Sequence, residues 1–360
     1  MYNSKPVLDI HGHVSAPMHG TTALGLMLAA NTDLGFDPRQ SLPALGLTEQ
    51  SWEQSVKAHI HDLDIRSIDA QLIGPRPFLM LGWMNQHVLE GWTRFVNNAI
   101  AKQVEMAPDR FVGACQLPQN AHDGDLSGSV AELDRCVNEL GFKGVYLSPD
   151  PTGDRKSPGM DTAYWYPIYE RCQHYGIPIV VHGSNCMDPR IKSIPHNYQI
   201  GFVWEQYLAT QLFSHGDVFD RFPDLKVVIC HCGGALDRWI KSDHHLSQRD
   251  TTGNLYFDTN APDLNFLEAA IKQRTPKQLC FGTEAPGSGR AVRPETGRPG
   301  DDLVPVISSF DFLSEADKHM IFHENPAHVC PGLGELGGCA HGSATSGDQK
   351  SLDDPFAFGK

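Results

Sequence analysis

The chain has 360 residues, of which 40% are hydrophobic and 20% are charged, which excludes an intrinsically disordered protein and allows a sizeable core. Acidic residues outnumber basic residues by 43 to 29, and the formal net charge of −14 argues against nucleic acid or an anionic membrane surface as partners. No run approaches the roughly 20 apolar residues that cross a bilayer, and the N-terminus lacks the pattern of a signal peptide. The nine cysteines have no disulfide-framework spacing, so we expect a cytoplasmic protein with reduced thiols.

Eight short apolar runs, bounded by Gly, Pro or Asp, recur along the chain with helix-length segments between them. They cover residues 7–13, 68–77, 111–118, 144–149, 178–184, 226–233, 254–260 and 278–284. Residues 178–181 and 227–230 are continuously apolar, which is typical of parallel strands buried on both faces. Residues 85–106 and 129–140 show helical periodicity, and Ser314 opens a last helix. This alternation predicts an α/β fold of the (β/α)8 TIM-barrel type.

The predicted barrel forms a single domain over residues 1–333, with two regions outside the alternation. Residues 17–48, after the first strand, form an insertion that we expect to cover the mouth of the barrel like a lid. Residues 334–360 are rich in Gly and Ser, and we expect them to form a poorly ordered tail. A doubly wound open sheet is the main alternative, but no G-x-G-x-x-G sequence follows an early strand.

The first predicted strand ends with two histidines separated by a glycine. His11 and His13 are two residues apart, so their side chains project to the same side of the strand. Gly12 between them allows the backbone to approach a central group without a Cβ in the way. Two imidazoles at the C-terminal end of a barrel strand suit a divalent metal ion, although such a pair alone is as consistent with two ordinary hydrogen-bonded histidines.

Three further apolar runs end in polar residues of the same kind. His182 closes the fifth run, His231 closes the sixth and Glu284 closes the eighth. The C-terminal ends of all strands in a barrel meet at its catalytic face. We therefore expect these side chains to gather with His11 and His13 around one divalent ion per active site, with zinc as the first choice.

This arrangement resembles the amidohydrolase superfamily, in particular the branch that contains aminocarboxymuconate-semialdehyde decarboxylase. The resemblance covers nearly the whole barrel, from His11 to the sequence Asn325-Pro326-Ala327 after the last helix. It implies that His11, His13 and His182 are zinc ligands. It also implies that His231 is the active-site histidine that lies beside the activated water.

The eighth strand departs from the usual pattern of that branch, which places an aspartate in a Gly-Ser/Thr-Asp-x-Pro context. Here the residue is Glu284, and its surroundings resemble the 4-oxalomesaconate hydratases, as do the sequence around Arg76 and the Gly- and Arg-rich residues 287–298. The resemblance implies a zinc-dependent hydro-lyase. Its reaction would add water across the C=C bond of 4-oxalomesaconate to give 4-carboxy-4-hydroxy-2-oxoadipate, in the catabolism of gallate, protocatechuate or lignin-derived aromatic compounds.

The glutamate suggests a role of its own, because it reaches one methylene further than an aspartate. We expect Glu284 to lie at the metal, directly or through water, and to act as the principal general acid/base. The implied substrate is a small polycarboxylate, which requires cations. Arg76 is the best candidate because it shares the catalytic face. Arg290 and Arg293 follow Glu284 closely and could close over the substrate, from this subunit or a neighbour, unless they belong to an ordinary solvated loop.

Other polar residues carry weaker expectations. Asn185 and Tyr198 lie beyond the fifth strand, where they could orient the substrate. Asp258 ends the seventh strand and could support the site. His59 and His61 are two apart in a helix, so they are not a ligand pair, and we expect an ordinary structural role for them. The family tendency predicts a homodimer or a larger homo-oligomer.

Three alternative functions remain open at this point. The nearest is non-oxidative decarboxylation of an aromatic or dienoic acid on the same metal barrel, which carbon dioxide release would reveal. Hydrolysis of a pyrone lactone by a related barrel fits the histidine pattern less well. A non-catalytic carboxylate sensor is disfavoured because binding alone needs no activated water.

Overall fold

The computed structural model describes residues 1–29, 45–120, 125–184, 186–195, 197–240, 242–246, 249–287 and 289–336. Seven parallel strands in these ranges form one sheet in which each strand pairs with the next along the chain. The strands are β1 (Leu8–His13), β2 (Ala70–Gly74), β3 (Phe111–Cys115), β4 (Gly144–Leu147), β5 (Ile179–Val181), β6 (Val227–Ile229) and β7 (Leu255–Phe257). Every strand lies within a predicted apolar run, and the predicted α/β class is confirmed.

The eighth run closes the barrel but does not form the regular strand that the sequence predicts. Residues 278–285, the closing segment, bond to β7 through the Cys280 N–H and the Phe257 carbonyl at 2.8 Å. On the other side, Ile10 N–H donates to the Phe281 carbonyl at 2.9 Å, and Glu284 N–H donates to the His11 carbonyl at 2.7 Å. Glu284 has a φ of 63°, in the left-handed region, so the backbone leaves the extended conformation that a continuous ladder needs.

Helices connect the strands and cover the outside of the barrel. Those before β5 are α1 (Met18–Ala29), α2 (Glu49–Ile65), α3 (Gln86–Met106), α4 (Ser127–Asn138) and α5 (Tyr166–Tyr175). Those after it are α6 (Asn197–His215), α7 (Val218–Arg221), α8 (Leu264–Arg274), α9 (Val304–Ser308), α10 (Glu315–His319), α11 (Asn325–Val329) and α12 (Pro331–Leu336). One π-helical turn, Met320–Glu324, joins α10 to α11. None of these helices is long and apolar enough to cross a membrane.

Two apolar layers stabilise this arrangement. The outer layer lies between the strands and the helices, where α3 buries Leu89, Trp92, Val96 and Ile100. The inner layer fills the barrel with side chains of alternate strand residues. It ends at the N-terminal side of the strands against α11 and α12, and its members include Leu8, Ile10, Leu72, Val180, Val228, Val329, Cys330 and Leu333. The interior is therefore packed, and only its C-terminal end remains for a polar site.

The structure describes only part of the predicted insertion and only part of the predicted tail. Within the predicted insertion, residues 18–29 form α1, while residues 30–44 lie outside the described ranges. The lid-like role of this insertion remains a prediction. Helix α12 continues to Leu336 and so includes the first three residues of the predicted tail, 334–336, and residues 337–360 lie outside the described ranges.

Candidate metal centre and active site

Four buried side chains meet at the C-terminal end of the barrel. His11 and His13 come from β1, His182 directly follows β5, and Glu284 belongs to the closing segment. Each offers a nitrogen or oxygen atom, and these atoms all lie within 4.8 Å of one another. The fold therefore brings together in space the ligand set that the sequence predicts.

Each of the three imidazoles uses its Nδ1 atom for a hydrogen bond to the protein. The acceptors are the Asp258 carboxylate for His11 at 2.5 Å, the Pro75 carbonyl for His13 at 2.8 Å and the Gly183 carbonyl for His182 at 2.6 Å. Because these acceptors take a proton from Nδ1, the lone pair of each ring lies on Nε2. Carboxylate and carbonyl partners of this kind orient metal-binding histidines in proteins.

The three Nε2 atoms face the common space without a hydrogen-bond partner. The Nε2 atoms of His11, His13 and His182 are buried and unpaired within the described part of the chain. Unpaired buried polar atoms are rare because they lose their hydrogen bonds to water. Three such nitrogens beside a carboxylate match the donor set of a divalent transition-metal ion, so the residues fit the metal that the sequence predicts.

Burial keeps two of these imidazoles in the state that a metal ligand requires. Desolvation lowers the pKa of His13 well below its ordinary value, and the neighbouring His11 and His182 lower it further. Desolvation also lowers the pKa of His182, to about 4. Both rings are therefore neutral near pH 7 and can donate a lone pair to a metal.

Glu284 lies between a metal-site histidine and His231. Its Oε1 atom is 3.7 Å from Nε2 of His182 and 3.4 Å from Nε2 of His231, and its Oε2 atom accepts a hydrogen bond from the Asn260 amide at 3.2 Å. Burial alone would raise the pKa of Glu284, but His231 and His182 hold it well below its ordinary value. The site therefore contains an ionised carboxylate beside the three unpaired nitrogens.

His231 is the most accessible of the four clustered histidines. Its side chain is 16% exposed, whereas that of His182 is fully buried. Its Nδ1 atom contacts the side-chain amide of Gln206 on α6, with Oε1 at 3.1 Å and Nε2 at 2.9 Å. Burial alone would lower the pKa of His231, but the Glu284 carboxylate raises it. His231 and Glu284 thus form a polar pair on the side of the site that solvent reaches.

Arg76 shares this end of the barrel but lies deep in the protein. Its Nε atom donates to the Val14 carbonyl at 3.0 Å, and Nη1 donates to the Pro286 carbonyl. The Nη2 atom is buried and has no partner among the described residues. Desolvation lowers the pKa of Arg76 to about 9, so the guanidinium remains charged near pH 7. It lines an apolar cavity of about 20 Å³ beside α1 and α3, which is large enough for one water molecule.

Two of the other predicted substrate residues, Arg290 and Arg293, make contacts within the protein. Arg290 forms an ion pair with Asp62 at 2.6 Å, and Arg293 donates to the carbonyls of Pro262 and Gly300, both at 2.6 Å. These contacts tie residues 289–302 to neighbouring parts of the barrel. Asn185 lies outside the described ranges, and Tyr198 lies in α6 with a side chain that is not described.

Sequence reasoning missed two residues that contact Glu284 and His231, namely Asn260 and Gln206, and gave a third, Asp258, only as a possibility. Asp258, which binds His11, was recognisable as the end of the seventh strand. Asn260 is two residues further on, a spacing that would have suggested it as a second residue on the same side. Gln206 lies in the middle of a helix, and no strand-end pattern identifies it.

A family model described as amidohydrolase matches residues 8–330 of the chain. The chain belongs to the amidohydrolase family. It is 34% identical over 281 residues to a 2-keto-4-carboxy-3-hexenedioate hydratase of Sphingobium sp., an alignment that covers 74% of this chain and 80% of the relative. It is 25% identical over 291 residues to a 2-amino-3-carboxymuconate-6-semialdehyde decarboxylase of Dictyostelium discoideum, covering 76% and 75% of the two chains.

Solved structures of this family extend the comparison. The crystal structure of 4-oxalomesaconate hydratase from Rhodopseudomonas palustris superposes on this amidohydrolase with a TM-score of 0.74 and 26% identity, and the match covers 91% of this chain and 96% of that chain. The predicted superfamily and its (β/α)8 barrel are thus confirmed. Because the relative that is 34% identical and the solved structure with a TM-score of 0.74 are both hydratases, the protein is a hydro-lyase. Family membership and the ligand cluster together indicate a divalent metal ion.

Proposed function

We propose that this amidohydrolase is a zinc-dependent hydratase that adds water across the C=C bond of a small unsaturated oxo-polycarboxylate. The first substrate to test is 4-oxalomesaconate, with 4-carboxy-4-hydroxy-2-oxoadipate as the product, in the breakdown of gallate, protocatechuate or lignin-derived aromatic compounds. The observation that supports this proposal most directly is the position of Glu284. Its carboxylate lies within 3.7 Å of two imidazoles, one of which belongs to the metal site.

The residues that would hold the metal are His11, His13, His182 and Glu284. A divalent ion bound there supplies Lewis acidity and makes water acidic enough to react near pH 7. The surrounding protein groups orient these ligands. The Nδ1 hydrogen bonds fix the ring planes of the histidines, and burial keeps the rings of His13 and His182 neutral.

Glu284 would move the proton that the addition requires. Its Oε1 atom accepts a proton from water as the C–O bond forms at one carbon of the double bond, and it then delivers that proton to the neighbouring carbon. The substrate gains one water in total, and the carboxylate returns to its initial state. The Asn260 amide holds Oε2, while His231, 3.4 Å from Oε1, favours the ionised carboxylate with which the cycle begins and ends.

Arg76 is the cation best placed to receive a carboxylate of the substrate. It is buried, its charge helps to lower the pKa of His13, and its Nη2 atom has no partner in the part of the chain that the structure describes. An anion beside it would satisfy this group with a charge-assisted hydrogen bond. Arg290 and Arg293 already contact acceptors of the protein, so we assign them to the loop rather than to the substrate. Roles for Asn185 and Tyr198 remain predictions.

The substitution Glu284→Gln tests this proposal. Glutamine has the same size but cannot carry the proton, so kcat is expected to fall by about 10² to 10⁴-fold while the zinc content stays near one ion per chain. Turnover is followed by the ultraviolet absorbance of oxalomesaconate, and a mass gain of one water identifies the product. Glu205→Gln is a matched control, because Glu205 is 6% exposed and Glu284 is 5% exposed. A Glu284→Gln enzyme within a few-fold of the parent would exclude this role.

Non-oxidative decarboxylation of an aromatic or dienoic acid remains the second candidate. The similarity to a decarboxylase over 76% of the chain favours it over lactone hydrolysis. Release of carbon dioxide from candidate acids, without a mass gain of water, would support decarboxylation and exclude hydration.

Assembly into a homodimer or a larger homo-oligomer is also proposed. Ile200, Trp204 and Leu208 lie one turn apart on α6 and are 39%, 49% and 41% exposed. Such a stripe is unusual on the surface of a monomer, and a second copy of the chain would bury it. Light scattering of the parent and of Trp204→Glu tests this assignment. A monomeric parent would contradict it.

A further inference from the structure

One buried side-chain amide contacts two of the three segments that supply the candidate metal ligands, β1 and the closing segment. Gln71 lies on β2 and is fully buried. Its Nε2 atom donates to Oδ2 of Asp9 at 2.8 Å and to the carbonyl of Ala285 at 3.0 Å. Asp9 is two residues before His11, and Ala285 directly follows Glu284. A single amide therefore links β1 to the closing segment.

The carboxylate of Asp9 makes the same connection from the other side. It accepts hydrogen bonds from the backbone N–H of His11 at 2.9 Å and from the hydroxyl of Thr283 at 2.5 Å. Thr283 directly precedes Glu284, and its backbone N–H also donates to Asp9 at 3.2 Å. Together, Gln71 and Asp9 contact the residues on both sides of Glu284.

These side-chain contacts lie where the backbone ladder is interrupted. The register of β1 on β2 shifts between Asp9 and Gly12, and among the described residues the closing segment pairs with β1 through one isolated bridge, between Gly12 and Ala285. The absence of a side chain at Gly12 makes room for the amide, because a Cβ there would lie 2.1 Å from Cδ of Gln71. Gly12 therefore admits Gln71 on the face away from the metal, which corrects the expectation that it opens space toward the central group.

The orientation of the Gln71 amide is fixed by a chain of hydrogen bonds that ends in backbone groups. The Ala285 carbonyl can only accept, so Nε2 of Gln71 faces it and Oε1 accepts from Nε2 of His59 at 2.8 Å. Nδ1 of His59 then accepts from Nε2 of Gln103 at 2.8 Å, and Oε1 of Gln103 accepts from the Ser15 N–H at 2.8 Å. If the Gln71 amide were flipped, its Oε1 atom would face the Ala285 carbonyl oxygen and its Nε2 atom would face Nε2 of His59. Such pairs of like atoms are costly in a buried network.

We propose that Gln71 is a positioning residue that sets the distance between the histidines of β1 and the carboxylate of Glu284. It acts through Asp9 and Ala285 and touches neither the metal nor the substrate. Side chains beyond the ligands commonly change metal affinity or activity by about 10- to 100-fold in this way. The inference rests on the proposed metal site but not on the identity of the proposed substrate.

The test compares two buried glutamines, each replaced by the similarly sized methionine. Gln71→Met removes the hydrogen bonds to Asp9 and Ala285 and also the one that Gln71 accepts from His59. Gln116→Met is the control, because Gln116 is also fully buried and its amide donates to the Met80 carbonyl and the Thr93 hydroxyl, both at 3.2 Å. Metal affinity is measured by competition with a chromogenic chelator, and the ligand geometry is followed by the visible spectrum of the Co²⁺-loaded proteins. Melting temperatures report any general destabilisation.

Gln71→Met is expected to bind zinc about 10- to 100-fold more weakly and to shift the Co²⁺ spectrum. Gln116→Met is expected to lower the melting temperature similarly, with an unchanged spectrum and an affinity within about three-fold of the parent. Equal losses in the two variants, or an unchanged affinity in Gln71→Met, would overturn the proposal.

If Gln71→Met does not fold, His59→Leu provides a second test. It retains Gln71 but removes the donor that orients its amide, and a change in the same spectrum with an affinity loss of a few-fold is expected. An unaltered spectrum and affinity would overturn the proposal. Because these readouts need no substrate, a wrong substrate assignment cannot imitate either result.

Discussion

At one end of the barrel interior, Val329, Cys330 and Leu333 pack against Leu8 and Ile10, whereas at the other end four imidazoles surround the carboxylate of Glu284. The first end buries apolar surface, which stabilises the fold. The second end buries polar atoms that would destabilise it unless each found a partner. Every Nδ1 atom has a side chain or a carbonyl as its partner, and the three unpaired Nε2 atoms are the ones that would bind a metal ion. Substitutions at the apolar end are therefore expected to change the stability of the fold, whereas substitutions at the polar end are expected to change metal binding.

Removal of the metal ion is expected to have the largest effect on the polar end. Dialysis against a strong chelator abolishes turnover, while the barrel stays folded because its apolar end contacts no ion. Returning zinc restores turnover and raises the free energy of unfolding by about 4 kcal/mol when the free ion exceeds its dissociation constant about 1,000-fold. Circular dichroism, thermal melts and metal analysis measure these changes. Full turnover after verified loss of the metal ion would contradict the expectation that the polar end needs the ion for activity.

The substitution Asp258→Asn tests the partner of a single metal-site histidine. The asparagine remains able to contact Nδ1 of His11 but loses the charge that makes the ring a stronger ligand. Zinc affinity is expected to fall about 10- to 100-fold, as measured with a chromogenic chelator. Asp250→Asn, at an exposed position, is the control and is expected to match the parent. Equal affinity in all three proteins would show that the 2.5 Å contact has no influence on the metal.

At the apolar end, Leu333→Ala is expected to destabilise the protein without changing the site. Leu333 is fully buried, and truncation of such a side chain commonly lowers the free energy of unfolding by about 2 to 5 kcal/mol. Urea unfolding measures the loss, and the kcat of the folded enzyme is expected to remain within about two-fold. Leu264→Ala, 39% exposed, is the matched control. A large fall in kcat for Leu333→Ala would show that the two ends are coupled.

The smallest expected effect concerns acid stability and His59. Burial lowers the pKa of His59 from 6.5 to about 3. Between these values the unfolded chain binds a proton that the folded chain does not, so stability falls as the pH decreases through this window. One such histidine changes the free energy of unfolding by at most about 1.4 kcal/mol per pH unit. Urea unfolding of the metal-free protein at pH 7 and pH 5 is expected to show a weaker pH dependence for His59→Leu. An identical pH dependence would mean that folding does not lower the pKa of His59.

The strand ends were predictable because they combine two simple patterns. A run such as residues 227–230 is continuously apolar, and the polar residue that follows it must lie at the catalytic face of a barrel. His182, His231 and Glu284 all follow this rule. The irregular closing segment was not predictable, because nothing in the sequence shows that Glu284, which is not a glycine, adopts a left-handed φ of 63°.

The buried network around Gln71 was missed for a different reason. His59 was expected to be an ordinary helix residue, but it occupies the buried face of α2 together with Trp52, Val56 and Leu63. That spacing was visible in the sequence and would have indicated a buried histidine in need of partners. Its partner Gln71 could not be identified in this way, because a polar residue inside an apolar strand run does not reveal which groups it contacts.

The position of α12 has a consequence for how the chain is made. Leu333 completes the inner layer whose first member, Leu8, lies at the opposite end of the polypeptide. During synthesis the N-terminal end of the barrel therefore stays open until α12 has emerged from the ribosome. A nascent chain that stalls before Pro331 would carry every proposed metal ligand, but the apolar side chains that α12 covers in the complete barrel would be exposed. Exposed apolar surface of this kind is recognised by chaperones and proteases.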